Sequence, residues 1–350
     1  MPHDRATRLR PGWLVAWAIG AAFSAYFCMY AFRKPFAAAA YEGELLGVQF
    51  KIALVLSQVL GYALSKFLGI RLVSETARAR RAATLLTLIG IAELALIAFG
   101  LLPPAGQVVA IFFNGLPLGA VWGLVFGYLE GRKTTELLGA GLSASYIVAS
   151  GAVKSVGSLL LEQGVPEAWM PALTGAMFLP PFLFAVWALD RLPPPTSEDV
   201  AARVEREPMD KASRRAFFMR FAPGLTALTL LYVFLTAYRD FRDNFQAEIF
   251  AELGVRSSGV FARSEALVAL AVLALLAAIF LVRDNRRALM LLHALMSAGL
   301  LLIAGATALM LAGVIDGMTW MILDGIGLYL AYVPRSEEHT SELQSRQCIS

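Results

Sequence analysis

The sequence predicts an all-α polytopic membrane protein assembled from two related halves. Three observations predict it. Of the 350 residues 58% are hydrophobic and 16% are charged, with a mean hydropathy of +0.64; a soluble domain is about 45–50% apolar and about 25% charged. The apolar residues fall into blocks of about 20, the length that crosses a bilayer as a helix. A guanidinium closes an apolar run in each half. One is Arg33, in Tyr30-Ala31-Phe32-Arg33-Lys34-Pro35-Phe36; the other is Arg239, in Tyr238-Arg239-Asp240-Phe241-Arg242-Asp243-Asn244-Phe245. Charges late in a hydrophobic helix are expensive in lipid and persist mainly where they face a partner, a cavity or a substrate.

Ten apolar segments follow one another: Trp13–Pro35, Val48–Gly69, Ala82–Leu102, Val108–Leu129, Leu137–Leu161, Trp169–Leu189, Phe221–Phe241, Val260–Val282, Ala288–Ala312 and Met318–Val333. The first is preceded by Arg5, Arg8 and Arg10, but it is too long for a signal peptide and lacks a small-residue cleavage site. Basic residues fall in alternate loops. One set carries Arg71, Arg78, Arg80 and Arg81, then Arg132 and Lys133, then Arg191 to Arg215, then Arg283, Arg286 and Arg287; the other set, Leu102–Gly106, Glu162–Ala168 and Gly313–Gly317, has no Lys or Arg. The excess of basic residues in cytoplasmic loops then predicts a cytoplasmic amino terminus in a bacterial inner membrane. The net charge of +4 sits in these short loops and is no nucleic-acid signal. Cys28 and Cys348 supply no disulfide framework.

The longest polar stretch, Asp190 to Arg220, contains Pro193-Pro194-Pro195 and a charged run from Glu198 to Arg215. It divides the chain into a six-helix bundle over residues 1–190, a cytoplasmic linker over 191–218 and a second bundle over 219–334. This organisation resembles that of the major facilitator transporters, whose halves are parallel repeats flanking a central substrate site. A weak repeat agrees with it. Laying Phe32-Arg33 on Tyr238-Arg239 brings Glu44-Leu45-Leu46-Gly47 within a residue of Glu252-Leu253-Gly254.

After Pro334 the chain reads Arg335-Ser336-Glu337-Glu338-His339-Thr340-Ser341-Glu342-Leu343-Gln344-Ser345. That string is similar to the translation of a common DNA-sequencing adapter. Residues 335–350 are therefore expected to stand apart from the fold, and the ten helices to be part of a twelve-helix protein. The alternative is an ordinary polar tail.

Several residues carry potential chemistry. A helix-borne arginine presents a fixed fork of donors that suits phosphate or carboxylate. Arg33, Lys34 and Arg239 are thus candidate substrate ligands, with Tyr30 and Tyr238 beside them; the alternative is that the cations snorkel to the headgroups. Arg239 and Asp243 stand four apart, as an intrahelical pair would, and Asp240 and Arg242 neutralise each other or neighbours. Lys154 lies inside the fifth segment among Ser150, Ser155 and Ser158, as a third cationic ligand or the partner of an acidic group. Glu93, midway along the third segment, is a proton-carrier candidate or a structural carboxyl on a peripheral helix. In the fourth segment Gly115, Gly119, Gly123 and Gly127 lie on one face, a stripe that admits close helix packing, and Pro117 is expected to kink the helix. Gln58 and Tyr26 are further polar candidates. The loop from Arg71 to Arg81 offers a cytoplasmic latch with Glu75 as its acidic member.

The strings Phe32-Arg33-Lys34-Pro35-Phe36, Tyr62-Ala63-Leu64-Ser65-Lys66-Phe67 and Tyr232-Val233-Phe234 through Arg239 resemble the organophosphate:phosphate antiporter family of major facilitators. The resemblance implies exchange of a phosphorylated metabolite for phosphate, with Arg33 and Arg239 gripping the phosphate. The chain departs from the family at Asn244-Phe245, where an Asp-Trp stands, and has no histidine in the fifth helix; Lys154 is the polar residue there.

The expectation is a monomeric secondary transporter in the lipid bilayer that moves a small anionic, phosphorylated metabolite by alternating access. Two alternatives stay open: a non-transporting anion sensor on the same fold, and a proton-coupled carrier of a zwitterion that uses Glu93, Asp240 and Asp243. No enzyme, metal or cofactor is expected. The histidines are His3, His293 and His339, and no phosphate-binding loop or nucleophile elbow is present.

Overall fold

Helix after helix follows the amino terminus of the computed structural model, which describes residues 11–132, 135–196, 199, 211–255, 257, 259–280 and 284–345. Expectations on His3, Lys133, Arg283, Cys348 and much of the charged linker lie outside the described residues. The chain is nearly all-α. Seven helices among the described residues are long and apolar enough to cross a membrane, and Gly317–Val333 is a shorter apolar one. Their outer faces are apolar: along Arg78–Leu101 the exposed residues include Leu86, Ile91, Leu94 and Leu101. Contiguous apolar surface of that extent is foreign to a soluble monomer.

The chain divides into two units, residues 1–200 with 244–266, and residues 201–243 with 267–350. In the first unit α1 (Pro11–Tyr30) packs on α6 (Thr135–Glu162) and α7 (Met170–Asp190), while α4 (Pro104–Leu118) packs on α2 (Phe50–Glu75) and α3 (Arg78–Leu101). The buried face of α1 is mostly alanine, Ala18, Ala21, Ala22 and Ala25, leading to Met29 and Phe32. Small side chains let neighbouring backbones approach, which is how helices associate where lipid removes the hydrophobic drive. The glycine stripe does the same for α2. Gly115 faces Gln58 and Tyr62, Gly119 faces Ser65, and Gly123 faces Val73, while Gly127 meets the Arg81 guanidinium of α3.

Four boundaries differ from the sequence reading. The first helix stops at Tyr30, not Pro35, and a 3-10 turn occupies Pro35–Ala38. Proline has no N–H and restricts the residue before it, so the α-helix cannot run through this point. The fourth segment is two helices, α4 and α5 (Val121–Leu129), separated at Gly119-Ala120 just after Pro117. The helix expected from Phe221 begins at Lys211, inside the presumed linker, and runs to Asn244 as α8. Asn244–Ala266 belongs with the first unit rather than the second.

Short connections complete the first unit. A hairpin pairs Glu44–Leu45 with Val48–Gln49, and its turn residues Leu46 and Gly47 both have positive φ, at 55° and 78°. Two left-handed residues make the turn whose twist suits a two-residue hairpin loop. The matching string Glu252-Leu253-Gly254 instead ends α9 (Gln246–Glu252), where Gly254 at φ 73° lets Val255 N–H reach the Phe250 carbonyl. The two halves of the sequence repeat thus adopt different structures. Tyr41 packs edge-on against Phe50 and Phe99; burial, with Glu167 nearby, pushes its phenol well above the usual range.

In the second unit α11 (Asn285–Leu311) and α12 (Gly317–Ser345) form a close antiparallel pair. Gly299 and Gly327 lie against each other's backbone, and Trp320 donates to Thr307 Oγ1 at 3.1 Å. Helix α12 is helical past Pro334 to Ser345, so no break in the helix marks the expected tail. The remaining helix, α10 (Val260–Phe280), contributes to both units.

A side chain at Gly115 must displace the α2 backbone. Gly115→Val is expected to lower the melting temperature in detergent, at a cost of about 1–3 kcal/mol for overpacking. Gly90→Ala, where a Cβ meets nothing within 4 Å, is expected to leave it unchanged.

Candidate functional site

The turn that ends α1 determines where Arg33 and Lys34 stand. Arg33 and Lys34 N–H both donate to the Tyr30 carbonyl, at 3.0 and 2.9 Å. Ending the helix this early releases carbonyls inside an apolar bundle, where each needs a donor. Two side chains supply them. Asn114 of α4 donates from Nδ2 to Phe32 O at 2.8 Å and to Ala92 O at 3.1 Å; Gln58 of α2 donates from Nε2 to Arg33 O and to Asn114 Oδ1, both at 2.9 Å. The amides thereby tie the turn to three helices.

Arg33 and Lys34 do not snorkel: they are 4% and 2% exposed. The Arg33 guanidinium lies 3.7 Å from the centre of the Tyr62 ring, a cation–π arrangement that gains strength when desolvated. Tyr30 is buried edge-on against Tyr26, one turn earlier on α1.

Lys34 belongs to a larger polar layer at this end of the first unit. Its ammonium donates to Asn244 Oδ1 at 2.9 Å. Lys51, in the first turn of α2, is buried, donates to Ala37 O at 3.0 Å and pairs with Glu248. Lys154 is completely buried and donates to Gln246 Oε1, and Gln246 Nε2 donates in turn to Glu265 Oε1 at 2.9 Å. Ser155 Oγ accepts from the Ala262 N–H at 2.9 Å. Three lysines on three different elements are thus held by one stretch of chain, Asn244 to Glu248. Gln246 thus links Lys154 to the Glu265 carboxylate.

In the second unit Arg239 lies 4.5 Å from the centre of the Tyr332 ring and binds Asp240, the next residue, at 2.8 Å. Asp240 thus pairs with a neighbour, Arg239, one of the two arrangements the sequence allowed. Arg242 is 3% exposed and pairs across to Asp324 of α12, Nε to Oδ2 at 3.3 Å, and it donates to Met321 O at 3.0 Å. Tyr238 turns to the same carboxylate and donates to Oδ1 at 2.7 Å. Tyr232 and Tyr332 stack with ring centres 5.7 Å apart. Asp243 is half-buried one turn beyond Arg239.

Glu93 of α3 lies against Gly175 of α7, which the Phe32 ring also borders, and its Oε2 has no hydrogen-bond partner among the described residues. The Arg71–Glu75 pair is exposed, at 2.7 Å; Arg78 caps the Leu192 carbonyl at 2.5 Å. The groups absent from the sequence reading are Asn114, Lys51, Gln246, Glu248, Glu265, Asp324 and Tyr332. Asn114, Glu265 and Asp324 lie inside apolar segments, so the criterion that singled out Arg33 would have found them. Gln246 and Glu248 lie in a connection, where polarity carries no signal.

These features define a nearly all-α protein of membrane-crossing helices with buried charge in both units. Residues 35–337 match the family described as "Family of unknown function (DUF5690)", and the chain belongs to that family. No curated protein matches the chain.

Asn114→Leu keeps the side-chain size and removes the donors. It strands the Phe32 and Ala92 carbonyls, at about 1–3 kcal/mol for each unsatisfied buried group. The melting temperature in detergent is expected to fall markedly; an unchanged value would show that the turn stands without Asn114.

Proposed function

We propose that the protein is a secondary transporter of the major facilitator kind that moves a small anionic metabolite, phosphorylated by preference, by alternating access. The observation that carries this reading is one arginine near a helix end in each unit, each laid on a tyrosine ring: the buried Arg33 on Tyr62 and the half-buried Arg239 on Tyr332. A ring fixes the plane of a guanidinium, whose fork of donors suits a planar or tetrahedral oxyanion. Buried charge in membrane helices is otherwise disfavoured and marks substrate pathways. The layer of Lys34, Lys51 and Lys154 adds positive potential in the first unit. The resemblance of the Arg33, Tyr62 and Arg239 strings to the organophosphate:phosphate antiporters supports phosphate as counter-substrate. The alternating basic loops support a cytoplasmic amino terminus.

The experiment is phosphate exchange by liposomes containing the full-length protein. Arg33→Lys and Arg239→Lys keep the charge and lose the fork. Loss of one charge-assisted hydrogen bond costs about 1.5–3 kcal/mol, so exchange is expected to fall about 10- to 100-fold. Unchanged exchange in both variants would overturn the reading.

A further inference from the structure

Two helices of the first unit that pack on each other, α3 and α7, both turn an exposed stripe outward. On α3 the stripe runs from Leu101 through Leu94, Ile91 and Thr87 to Arg80. On α7 it runs from Leu173 through Met177, Phe184 and Trp187 to Arg191, just past the last turn. Positions three, four or seven apart lie on one helix face. The start of α3 and the end of α7 meet at one edge of the unit, because Arg78 donates to the Leu192 carbonyl at 2.5 Å. Both apolar stripes therefore finish at that edge, and each finishes in an exposed arginine.

Trp187 is 51% exposed and stacks on Phe184, with ring centres 5.5 Å apart. The Arg191 guanidinium lies 5.0 Å from the centre of the Trp187 ring. An exposed indole near the end of a membrane helix stands at the level of the headgroups. An arginine laid on it keeps its fork of donors in a fixed plane at that level.

The cations at this edge are placed against the interest of the helix that carries them. The first turn of α3 holds Arg78, Arg80 and Arg81 and no acid, and its N-cap, Ala77, offers no side-chain acceptor. Positive charge at a helix amino terminus opposes the macrodipole. Protein groups occupy the inner members. Arg78 and Arg81 lie 5.6 and 5.8 Å from the centre of the Tyr128 ring, and Arg81 donates to the Gly127 carbonyl. The neighbouring carboxylates are engaged as well. Asp190 accepts from Tyr128 at 3.3 Å, Asp199 accepts from Thr196 at 2.9 Å, and Glu75 pairs with Arg71. Arg80 and Arg191 are the members that stand at the ends of the outward stripes.

We propose that this edge of α3 and α7 is a binding site for an anionic phospholipid. Helices that cross a bilayer carry phosphates at their ends by geometry, so a headgroup stands here in any case; the arginines decide which kind. A guanidinium fork suits the phosphodiester oxygens, and an excess of arginine favours a headgroup whose net charge is negative over one that brings its own ammonium. The acyl chains lie on the apolar stripes, Trp187 stands at the interface, and Arg80 and Arg191 take the phosphodiester. Arg78, turned inward to Leu192, is a positioning residue that ties the two helix ends together. The site is separate from Arg33 and Arg239 and does not rest on the anion-carrier reading.

The test adds phosphatidylglycerol or phosphatidylcholine, with the same acyl chains, to the full-length protein in detergent micelles and measures bound lipid by native mass spectrometry. Each arginine near the headgroups is expected to contribute about fivefold, so the wild type is expected to prefer phosphatidylglycerol about 10- to 30-fold. Arg80→Gln and Arg191→Gln are each expected to lose about fivefold of that preference, and the double variant to bind the two lipids alike. Arg71→Gln, on α2 and paired with Glu75, is expected to keep the wild-type preference. All three arginines are exposed, and an unchanged melting temperature in lipid-free micelles checks that the variants fold. Equal binding of the two lipids by the wild type, a preference that survives in the double variant, or an equal loss in Arg71→Gln would overturn the inference. A rise in melting temperature with inorganic phosphate that matches the rise with phosphatidylglycerol would assign the arginines to a soluble anion and overturn it too. None of these outcomes touches Arg33 or Arg239, so the carrier reading stands or falls by its own test.

Discussion

The carbonyls released where α1 stops at Tyr30 must find donors inside the protein, and the arrangement of the first unit depends on how they do. Hydrocarbon offers no water to a broken helix, so non-helical backbone at this depth needs partners from neighbouring helices. Asn114 and Gln58 supply them, each bridging more than one group. The glycine faces of α4 and α2 bring those amides within reach, since Gly115 lies directly on Gln58. Once the turn is held, Arg33 has a fixed place over Tyr62, and Lys34 points to Asn244 rather than along the helix axis. Small residues, buried amides and buried cations are therefore successive consequences of one helix end.

Each unit handles buried charge in its own way. In the first unit one connecting segment reaches three lysines: Asn244 and Gln246 accept from Lys34 and Lys154, and Glu248 pairs with Lys51. The second unit uses carboxylates: Asp240 on Arg239, and Asp324 on Arg242. A buried pair such as Arg242–Asp324 adds little net stability when intact and costs much when one member is lost. Their placement is better explained by what they do to charge than by what they do for the fold.

Much of the helical layout was legible in the sequence because blocks of about 20 apolar residues admit one interpretation in a bilayer. The ten expected segments each have a helical counterpart. What escaped was local or long-range. Pro35 was visible, yet its consequence, a stop at Tyr30, depends on the amides of α2 and α4 being in place to receive the freed carbonyls. The Gly119-Ala120 break needed two features, Pro117 and its glycine neighbour, to be read together. Arg33, Lys34 and Arg239 were found because a cation in an apolar run is anomalous by itself. The partners of the buried lysines were not, because Asn244, Gln246 and Glu248 lie between apolar segments, where polarity is unremarkable, and their role comes from packing 92 to 210 positions away in sequence from Lys154, Lys51 and Lys34. Asp324 lay in plain view in the last apolar segment, and it joins Arg242 and Tyr238 on one carboxylate.

The central claim is that these buried cations exist to receive an anion. Thermal denaturation of the purified protein with phosphorylated metabolites, against their neutral parent alcohols, tests it most directly. Ligand that binds only the folded state raises the melting temperature in proportion to its occupancy. The account predicts a concentration-dependent rise with at least one phosphomonoester and none with the matching alcohol. Equal shifts with both, or no shift with any phosphorylated compound, would contradict it.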